Sequence, residues 1–350
     1  MINNITIKSD ITIRQAMKFL DKAAEKCLLV VDENNKLLGT ITDGDLRRDI
    51  LSGTEFSKDI STTYNTKPTI LFQGKYNMEE AKQLLRDLKI DLIPIVDEKY
   101  LVLDYVTLSG MGGENQTKKT MDDVPVVIMA GGKGTRMEPF TKVLPKSLVP
   151  VHEKPIIEHI IERFTDLGCR EFHITINYKG KILNAYFEEL QPDYNINFVQ
   201  EQDPLGTAGS LRFLDKQFDR PFFVTNCDII IKSDYTSIYE FHKKGGYDVT
   251  LVASAKEYII PYGTCELNGS GHLSHINEKP HYDFLINTGL YILNPDVLKL
   301  IPKNKFYHIT HLIEEAKNQG KIVGIYPIDE DAWIDVGQWT EYQKAVKSLR

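Results

Sequence analysis

A glycine-rich loop beside an arginine is the first feature of the chain that could do chemistry. Residues 131–136 read GGKGTR and come directly after the apolar run Val124–Ala130. Glycines leave backbone N–H groups uncovered, and such groups can wrap a polyphosphate, whose charge Arg136 would offset. The spacing fits neither of two familiar phosphate loops, because GxxxxGK[ST] is absent and Met137 replaces the third glycine of a dinucleotide fingerprint. The loop therefore predicts a phosphate site of another kind.

An acidic residue after a second apolar run supplies a candidate metal ligand. Asp228 closely follows Pro221–Thr225, and the carboxyl ends of strands are where α/β sheets bind ligands. Mg²⁺ prefers oxygen ligands and is often held by one or two carboxylates together with substrate phosphates. Asp228 could instead cap the chain as it leaves the strand, so both roles stay open at this point.

The residues after the glycine loop extend the pattern as far as Pro150. They read MEPFTKVLPKSLVP, in which Pro139, Pro145 and Lys146 follow Arg136. This composite closely resembles the sugar-1-phosphate nucleotidyltransferase (NDP-sugar pyrophosphorylase) family. The resemblance implies transfer of a nucleotidyl group from an NTP to a sugar 1-phosphate by direct in-line displacement, with release of pyrophosphate. Because two polyanions must meet, positioning and charge neutralisation carry such a reaction.

The same resemblance implies which residues form the nucleotide and metal sites. Arg136, Lys146 and Asp228 are the expected catalytic residues, and Lys146 would lie between the NTP and the sugar phosphate. The segment WIDVG matches the W-x-D-x-G element of the family, so Asp335 is expected to bind Mg²⁺ together with Asp228. Either carboxylate could merely cap its strand. The expected nucleotide-binding residues are Ala130, Gly131, Gly132, Gly134, Thr135, Gln200, Gly206 and Thr207.

The nucleobase and the sugar are addressed by further motifs of the same resemblance. Residues 204–209 read PLGTAG, a form that resembles the guanylyltransferase branch, so GTP is the favoured donor. The motifs YG, EKP and NTG resemble sugar-contacting elements, although the glycines could serve turns alone. The residues expected to bind the sugar phosphate are Tyr262, Gly263, Glu278, Lys279, Asn287 and Thr288.

An internal repeat organises the front third of the chain. The triplet VDE at Val31–Glu33 recurs at Val96–Glu98, and each copy shows a helix–strand–turn–strand order. In the first copy the strands are predicted at Cys27–Val31 and Leu37–Thr42, followed by a short helix over Leu46–Leu51. Each copy is too small to bury its own sheet, so the two are expected to pack together.

The repeat, with the stretch GTITDGD after its second strand, resembles the tandem CBS (Bateman) module. The resemblance implies that Thr42 and Asp45 bind the ribose hydroxyls of an adenine or other nucleotide. Asp45 could instead be only the N-cap of the following helix. The second copy keeps Thr107, but Gly110 stands where the carboxylate is expected, so at most one nucleotide site is predicted.

Apolar runs alternating with helical patterns predict an α/β domain behind this module. We expect a Rossmann-like, GT-A-like nucleotidyltransferase domain with a mixed, largely parallel sheet. The predicted organisation is a CBS pair at 1–108, with copies at about 1–60 and 65–108, a flexible linker at 109–123 and the transferase domain at 124–350. Predicted strands include Glu171–Asn177, Ile196–Gln200, Tyr247–Ala253, Leu290–Leu293 and Ile322–Tyr326. A homodimer is expected by analogy with other CBS pairs.

Composition excludes several other classes of protein. The 350 residues include 42 basic and 49 acidic side chains, a net charge of −7, so nothing predicts a nucleic-acid partner. No apolar run is long enough for a membrane span, and no secretory signal is apparent, so a cytoplasmic location is expected. The four cysteines are scattered and are expected to be reduced thiols.

The combined pattern resembles the CBS-fused guanylyltransferases of bacterial nonulosonic (legionaminic) acid pathways. That resemblance favours GTP and a hexosamine 1-phosphate, with glucosamine 1-phosphate as the expected sugar, as the substrates. A transferase for mannose or heptose 1-phosphate is an alternative. A second alternative, of another class, is a catalytically idle transferase fold that senses nucleotides through the CBS pair.

Overall fold

The computed structural model describes residues 2–23, 25–108, 110–111 and 121–348. The chain forms two compact units, each assembled from separated segments. Unit 1 comprises 1–118, 254–286 and 327–331, and unit 2 comprises 119–253, 287–326 and 332–350. Two segments that the sequence grouped with the transferase domain, 254–286 and 327–331, therefore belong to the same unit as the CBS pair.

The amino-terminal part of unit 1 contains the two predicted copies. Its helices are α1 (Ile13–Lys22), α2 (Asp43–Leu51) and α3 (Met78–Leu88). Its strands are β1 (Thr6–Lys8), β2 (Cys27–Val31), β3 (Leu37–Thr42), β4 (Leu71–Phe72), β5 (Leu92–Val96), β6 (Val102–Thr107) and β7 (Gly110–Met111). The sheets have the orders β1-β2-β3 and β4-β5-β6-β7. Both strands predicted in the first copy are observed with the predicted bounds.

The two copies share one hydrophobic core, as their small size requires. Leu28 and Leu29 of the first copy lie in the same buried cluster as Val96 and Val102 of the second. An antiparallel bridge between Lys36 and Leu101 joins the copies at the backbone. Packing the two copies together removes from water apolar surface that neither copy could bury alone. Such burial stabilises the fold by about 25 cal/mol per Å².

The predicted linker has structure at both of its ends. Ser109 and residues 112–120 lie outside the described residues. Gly110–Met111 forms β7 and pairs antiparallel with the end of β6. Met121 is buried, and its N–H donates to the Leu167 carbonyl oxygen (2.6 Å). The flexible linker predicted at 109–123 therefore does not extend through Met121, because this large apolar side chain is buried in the core.

Unit 2 is built around a seven-stranded mixed sheet. The remaining strands of the chain are β8 (Val126–Met129), β9 (Pro150–Val151), β10 (Lys154–Pro155), β11 (Glu171–Ile176), β12 (Asn195–Gln200), β13 (Phe222–Asn226), β14 (Ile229–Ile231), β15 (Val249–Ile259), β16 (Thr264–Leu267), β17 (Leu273–Asn277), β18 (His281–Leu293), β19 (Val323–Asp329) and β20 (Trp333–Asp335). The helices are α4 (Ile156–Thr165), α5 (Gly180–Leu190), α6 (Gly206–Gly209), α7 (Tyr235–Gly245), α8 (Ile309–Asn318) and α9 (Trp339–Ser348). The sheet order is β12-β11-β8-β13-β18-β15-β19.

Four neighbouring strands of this sheet run in the same direction. β12, β11, β8 and β13 pair in parallel, whereas β18 is antiparallel to β13. This mixed, largely parallel sheet confirms the predicted fold class. The carboxyl ends of parallel strands meet at one edge of a sheet, where α/β proteins bind ligands. The segments that follow β8, β12 and β13 therefore start at the same edge.

The described part of the chain contains no helix long and apolar enough to cross a membrane.

Cys27, Cys169 and Cys227 are buried and Cys265 is exposed, and all four are free thiols. Burial raises the pKa of the Cys27, Cys169 and Cys227 thiols to about 12. Thiols of this kind are poor nucleophiles at neutral pH, in agreement with a site that uses no cysteine.

Candidate active site

Three segments start at the carboxyl edge of the parallel strands in unit 2. The glycine loop follows β8, Glu201 follows β12, and Asp228 comes two residues after β13. The strands are held in register by ladder pairs such as Val224↔Val127. Backbone pairing in the sheet therefore places these segments beside one another, although they are far apart in sequence.

Lys146, Asp228 and Asp335 converge at the centre of this edge. Lys146 Nζ forms an ion pair with Asp228 Oδ2, and the two side chains are only 12% and 11% exposed. A β-carbon built on Gly337 would come closer than 3.0 Å to Asp228 Oδ2, Asp335 Oδ1 and Lys146 Nζ alike. The three charged groups thus surround one small space that only a glycine leaves open.

Backbone pairing fixes the two carboxylates relative to each other. β14 and β20 are antiparallel, with Ile229 opposite Asp335. The Val336 N–H donates to the Asp228 carbonyl oxygen (2.8 Å), and the Gly337 N–H donates to Asp335 Oδ1 (2.7 Å). The geometry is therefore set by the main chain and does not depend on flexible side chains alone.

The burial and the charged neighbours of the Asp335 carboxyl suit a group that would bind a cation. Burial raises the pKa of its carboxyl, and the nearby charge of Asp228 raises it further. The hydrogen bond from Gly337 and the charges of Lys146 and Arg136 act in the opposite direction. Two adjacent carboxylates facing one space are a donor set that fits a hard divalent ion, whose other ligands would be phosphate oxygens and water. No cluster of three or more potential metal-ligating side chains occurs among the described residues.

We expect Gly337→Ala to lower turnover about a hundredfold, because the added methyl group displaces three groups that need near-exact placement. Pyrophosphate release under saturating substrates measures the effect. Gly269→Ala is the matched control, since a β-carbon there meets nothing within 4 Å. Equal turnover of the two variants would contradict the importance assigned to this space.

The glycine loop is held against Lys146. Gly134 has a positive φ of 66°, and a β-carbon there would lie 2.9 Å from Thr141 Cγ2 and 3.0 Å from Lys146 Cβ. The Thr141 hydroxyl donates to the Gly134 carbonyl oxygen (2.8 Å). In contrast, a β-carbon on Gly132 meets nothing within 4 Å. The loop is thus anchored at Gly134 and open at Gly132, as phosphate approach to the backbone requires.

The other predicted nucleotide residues occupy the neighbouring surface. Thr135 and Arg136 are exposed in a short 3₁₀ turn that follows Gly134, whereas Ala130 is buried at the end of β8. Gly206 has a φ of 78°, and a β-carbon there would stand 2.8 Å from the Tyr307 carbonyl oxygen. The Thr207 hydroxyl accepts from the Ile309 N–H (2.9 Å), so it supports the start of α8.

Glu201 is a buried carboxylate that the sequence did not single out. It is 4% exposed and accepts from the Leu205 N–H through Oε2 (3.1 Å). Its Oε1 lies 2.9 Å from the position of a β-carbon on Gly131. Burial raises the pKa of this carboxyl. Asp228 was located as an acidic residue at the carboxyl end of a strand, and the same rule would have located Glu201. The side chain of the preceding residue, Gln200, donates a hydrogen bond to the Glu201 carbonyl oxygen (2.9 Å).

The predicted sugar-phosphate residues divide between the two units. Asn287 and Thr288 are in unit 2, and Tyr262, Gly263, Glu278 and Lys279 are in unit 1. Thr288 is buried, and its hydroxyl donates to the Val252 carbonyl oxygen (2.8 Å). Its predicted contact with a sugar is therefore not supported, because the hydroxyl is used to join β18 to β15. Asn287 is exposed, and its Oδ1 accepts from the Gly289 N–H (3.0 Å).

Within unit 1, the other four residues lie at the base of the β16–β17 hairpin. Tyr262 is 75% exposed, and the Glu278 carboxylate stands beside Gly263, where a β-carbon would be 2.7 Å from Oε2. The Ile260 N–H donates to the Pro280 carbonyl oxygen (3.1 Å) and closes the base of this excursion. The structure thus brings these four predicted residues together in one exposed loop.

The CBS residues Thr42 and Asp45 bond to each other in the first copy. Thr42, not Asp45, is the N-cap of α2, and the helix begins at Asp43, three residues earlier than predicted. The Thr42 hydroxyl donates to Asp45 Oδ2 (2.7 Å), and Arg48 pairs with the other oxygen. This reciprocal capping box satisfies two N–H groups of the first turn. A nucleotide ribose would have to displace the Thr42–Asp45 contact.

Comparison with known families assigns the two parts of the chain separately. The family model described as nucleotidyl transferase matches residues 125–350, and the CBS domain model matches residues 1–52. The second copy of the repeat is thus observed in the structure but lies outside the CBS match.

Two curated relatives that match this chain share one activity name. A mannose-1-phosphate guanyltransferase of Yarrowia lipolytica is 35% identical over 223 residues, which cover 61% of this chain and 60% of that protein. One from Hypocrea jecorina is 37% identical over 226 residues, with 61% and 60% covered. The chain thus matches less than two thirds of the length of these relatives. Among solved structures, HddC from Yersinia pseudotuberculosis matches with a TM-score of 0.52 and 25% identity, over 65% of this chain and 100% of HddC.

Proposed function

Since the chain belongs to the nucleotidyl transferase family, we propose that it transfers a guanylyl group from GTP to a hexose 1-phosphate. The products are a GDP-sugar and pyrophosphate. The observation that carries the proposal is the convergence of Lys146, Asp228 and Asp335 on the space left by Gly337, next to an open glycine loop. Cationic, anionic and backbone-donor groups are assembled there as the meeting of two phosphates requires.

In the proposed mechanism, the chain positions the reactants and balances their charge. The open backbone at Gly132 and the cation of Arg136 bind the triphosphate. Lys146 exchanges part of its interaction with Asp228 for the phosphates that meet beside it. Asp228 and Asp335 would hold Mg²⁺, which supplies positive charge to the reacting phosphate oxygens. The three buried thiols, Cys27, Cys169 and Cys227, are not suited to act as nucleophiles, which favours direct attack by the sugar phosphate.

The choice of GTP is supported by the names of the relatives and by the chemistry of Glu201. The Watson–Crick edge of guanine presents N–H donors, for which a buried carboxylate is the matching acceptor. Glu201 Oε1 faces Gly131 at the carboxyl edge of the sheet. The PLGTAG segment, which begins three residues after Glu201, also favours the guanylyltransferase branch.

We expect Glu201→Gln to lower kcat/KM for GTP about thirtyfold, with a smaller loss for UTP and dTTP, because the amide replaces one acceptor with a donor. Competition among the four NTPs, read by product mass, measures this change in preference. Asp203→Asn is the matched control, because it makes the same acid-to-amide change at an exposed residue two positions away, and it should leave the preference unchanged. An equal loss for every NTP would indicate that Glu201 only supports the backbone of the Leu205 turn.

We propose a class of sugar phosphates, not a single sugar, as the second substrate. The names of the curated relatives point to mannose 1-phosphate, and the sequence resemblance pointed to glucosamine 1-phosphate. We therefore propose a hexose or hexosamine 1-phosphate, and a heptose 1-phosphate completes the set to be tested. Incubation of all four NTPs with these sugar phosphates and Mg²⁺, followed by product mass spectrometry, tests the proposal. Absence of any nucleotide sugar would contradict it and favour a catalytically idle nucleotide sensor.

The proposal also includes a nucleotide site in the CBS pair and a homodimer of the chain. We propose that the first copy binds an adenine or other nucleotide at Thr42 and Asp45, after their mutual hydrogen bond opens. Equilibrium dialysis with ATP, AMP and GTP, for the wild type and for Asp45→Asn, tests this site. Retention of nucleotide by the variant with unchanged affinity would exclude the carboxylate as a ligand.

A further inference from the structure

Arg14, near the start of α1, contacts a segment that lies far away in sequence. Its Nη1 donates to the Ala255 carbonyl oxygen (3.1 Å), and its Nη2 is ion-paired with Asp283. The guanidinium carbon lies 5.2 Å from the centre of the Phe56 ring. The Arg14 and Asp283 side chains are only 16% and 20% exposed. Solvent screens such a pair much less than it screens a surface pair.

The two contacts of Arg14 fall on two different strands. Ala255 is on β15 and Asp283 is on β18, and these strands are neighbours in the sheet. One planar guanidinium therefore joins both strands through hydrogen bonds in a fixed geometry, which a lysine could not reproduce. Ala255 is 1% exposed within the hydrophobic cluster that the two CBS copies share, against which Leu285 also packs.

The segment between these strands is the excursion at 260–280. It carries four of the residues proposed to bind the sugar phosphate: Tyr262, Gly263, Glu278 and Lys279. Its only paired strands, β16 and β17, form a two-stranded sheet, and every residue of β17 is exposed. An isolated two-stranded hairpin is marginally stable in water. The position of the excursion therefore depends on how its base is held.

We propose that Arg14 is a positioning residue for the sugar-phosphate loop at 260–280. It acts through Ala255 and Asp283 and makes no contact with the reacting atoms itself. The first CBS copy thereby sets the affinity of the enzyme for the sugar phosphate. This inference rests on the proposed function and on the sequence motifs that predict sugar-phosphate binding at that loop.

The test compares Arg14→Ala and Arg14→Lys with the wild-type full-length chain. Arg14→Ala is expected to raise KM for the sugar 1-phosphate used by the wild type at least tenfold, because small displacements of a binding group are costly. KM for GTP should change less than twofold. Arg14→Lys keeps a charge near Asp283 and should recover part of the loss. If Arg14→Ala does not fold, Arg14→Lys and Asp283→Asn provide the same measurement.

Two controls separate positioning from a general loss of structure. Lys22→Ala removes an exposed cation from the same helix and should leave both KM values unchanged. The double variant Arg14→Ala/Asp283→Asn should be no worse than Arg14→Ala alone, since both changes break one interaction. A similar rise in KM for GTP and the sugar phosphate, or no rise in either, would overturn the inference.

Hydrogen exchange provides a readout that does not require turnover. Backbone amides at 260–280 are expected to exchange faster in Arg14→Ala than in the wild type, with little change in β2 and β3. If the wild type makes no nucleotide sugar while this local increase is seen, the proposed function fails and the positioning role of Arg14 remains. An increase spread over the whole first copy, or none at all, would contradict the positioning role.

Discussion

Asp228→Asn is expected to lower kcat about a thousandfold while the chain remains folded. The Asp228 side chain is 11% exposed, pairs with Lys146 and faces the space beside Gly337 that Asp335 also borders. Asparagine has nearly the same shape but no charge, so it can neither balance Lys146 nor attract a divalent ion strongly. Loss of one fixed electrostatic group in a desolvated site commonly costs a factor of 10² to 10³.

Pyrophosphate release at several Mg²⁺ concentrations measures this effect. The matched control is Asp219→Asn, in which an exposed carboxylate that pairs with Arg220 on the same unit is neutralised; its turnover should remain within twofold of the wild type. The thermal midpoint of both variants shows whether the fold is kept. Normal kcat of Asp228→Asn at saturating Mg²⁺ would exclude Asp228 as a metal ligand.

Lys146→Ala is expected to lower kcat by a similar factor and to raise KM for the sugar phosphate. The ammonium group is 12% exposed and is the cation that pairs with Asp228 at the centre of the site. Without it, the phosphates of two substrates approach next to two carboxylates whose charge is balanced only by the metal and Arg136. At short range and low exposure, a single missing charge has a large effect on such an encounter.

Lys146→Arg distinguishes charge from fit. Gly134 lies against the stem of this side chain, since a β-carbon on Gly134 would be 3.0 Å from Lys146 Cβ and 3.3 Å from Lys146 Cδ. A larger guanidinium should therefore restore little of the activity, leaving it about thirtyfold below the wild type. Lys142→Ala is the control, because that lysine is 67% exposed and pairs only with Glu138 at the surface. Turnover of Lys146→Ala within tenfold of the wild type would refute the assigned role.

The sequence predicted the buried strands well because burial on both faces leaves a continuous apolar run. Cys27–Val31 and Leu37–Thr42 were predicted with their observed bounds. The same argument failed for β18, predicted at Leu290–Leu293 but observed from His281. Its first half, HYDFLIN, is largely exposed and mixes polar with apolar residues, so it lacks the continuous apolar run that marks a buried strand.

The site was predictable where residue type and strand position agreed, as at Asp228. Gly337 was missed as a functional position, because its importance comes from three charged groups that meet around it only in the folded chain. The motif did not reveal that the Thr288 hydroxyl donates to the Val252 carbonyl oxygen, and the contact of Thr288 with a sugar stays a prediction. Whether the residues brought together bind the expected substrates remains a prediction for the experiments above.

Unit 1 is assembled from three separated segments of the chain, which has a consequence for biosynthesis. Arg14 leaves the ribosome 241 residues before Ala255 and 269 residues before Asp283. At typical elongation rates of about 5–20 residues per second, this interval lasts roughly 12–50 seconds. During that time the strands that later complete the core are not yet present. The nascent first copy must therefore avoid aggregation while part of its apolar surface is uncovered.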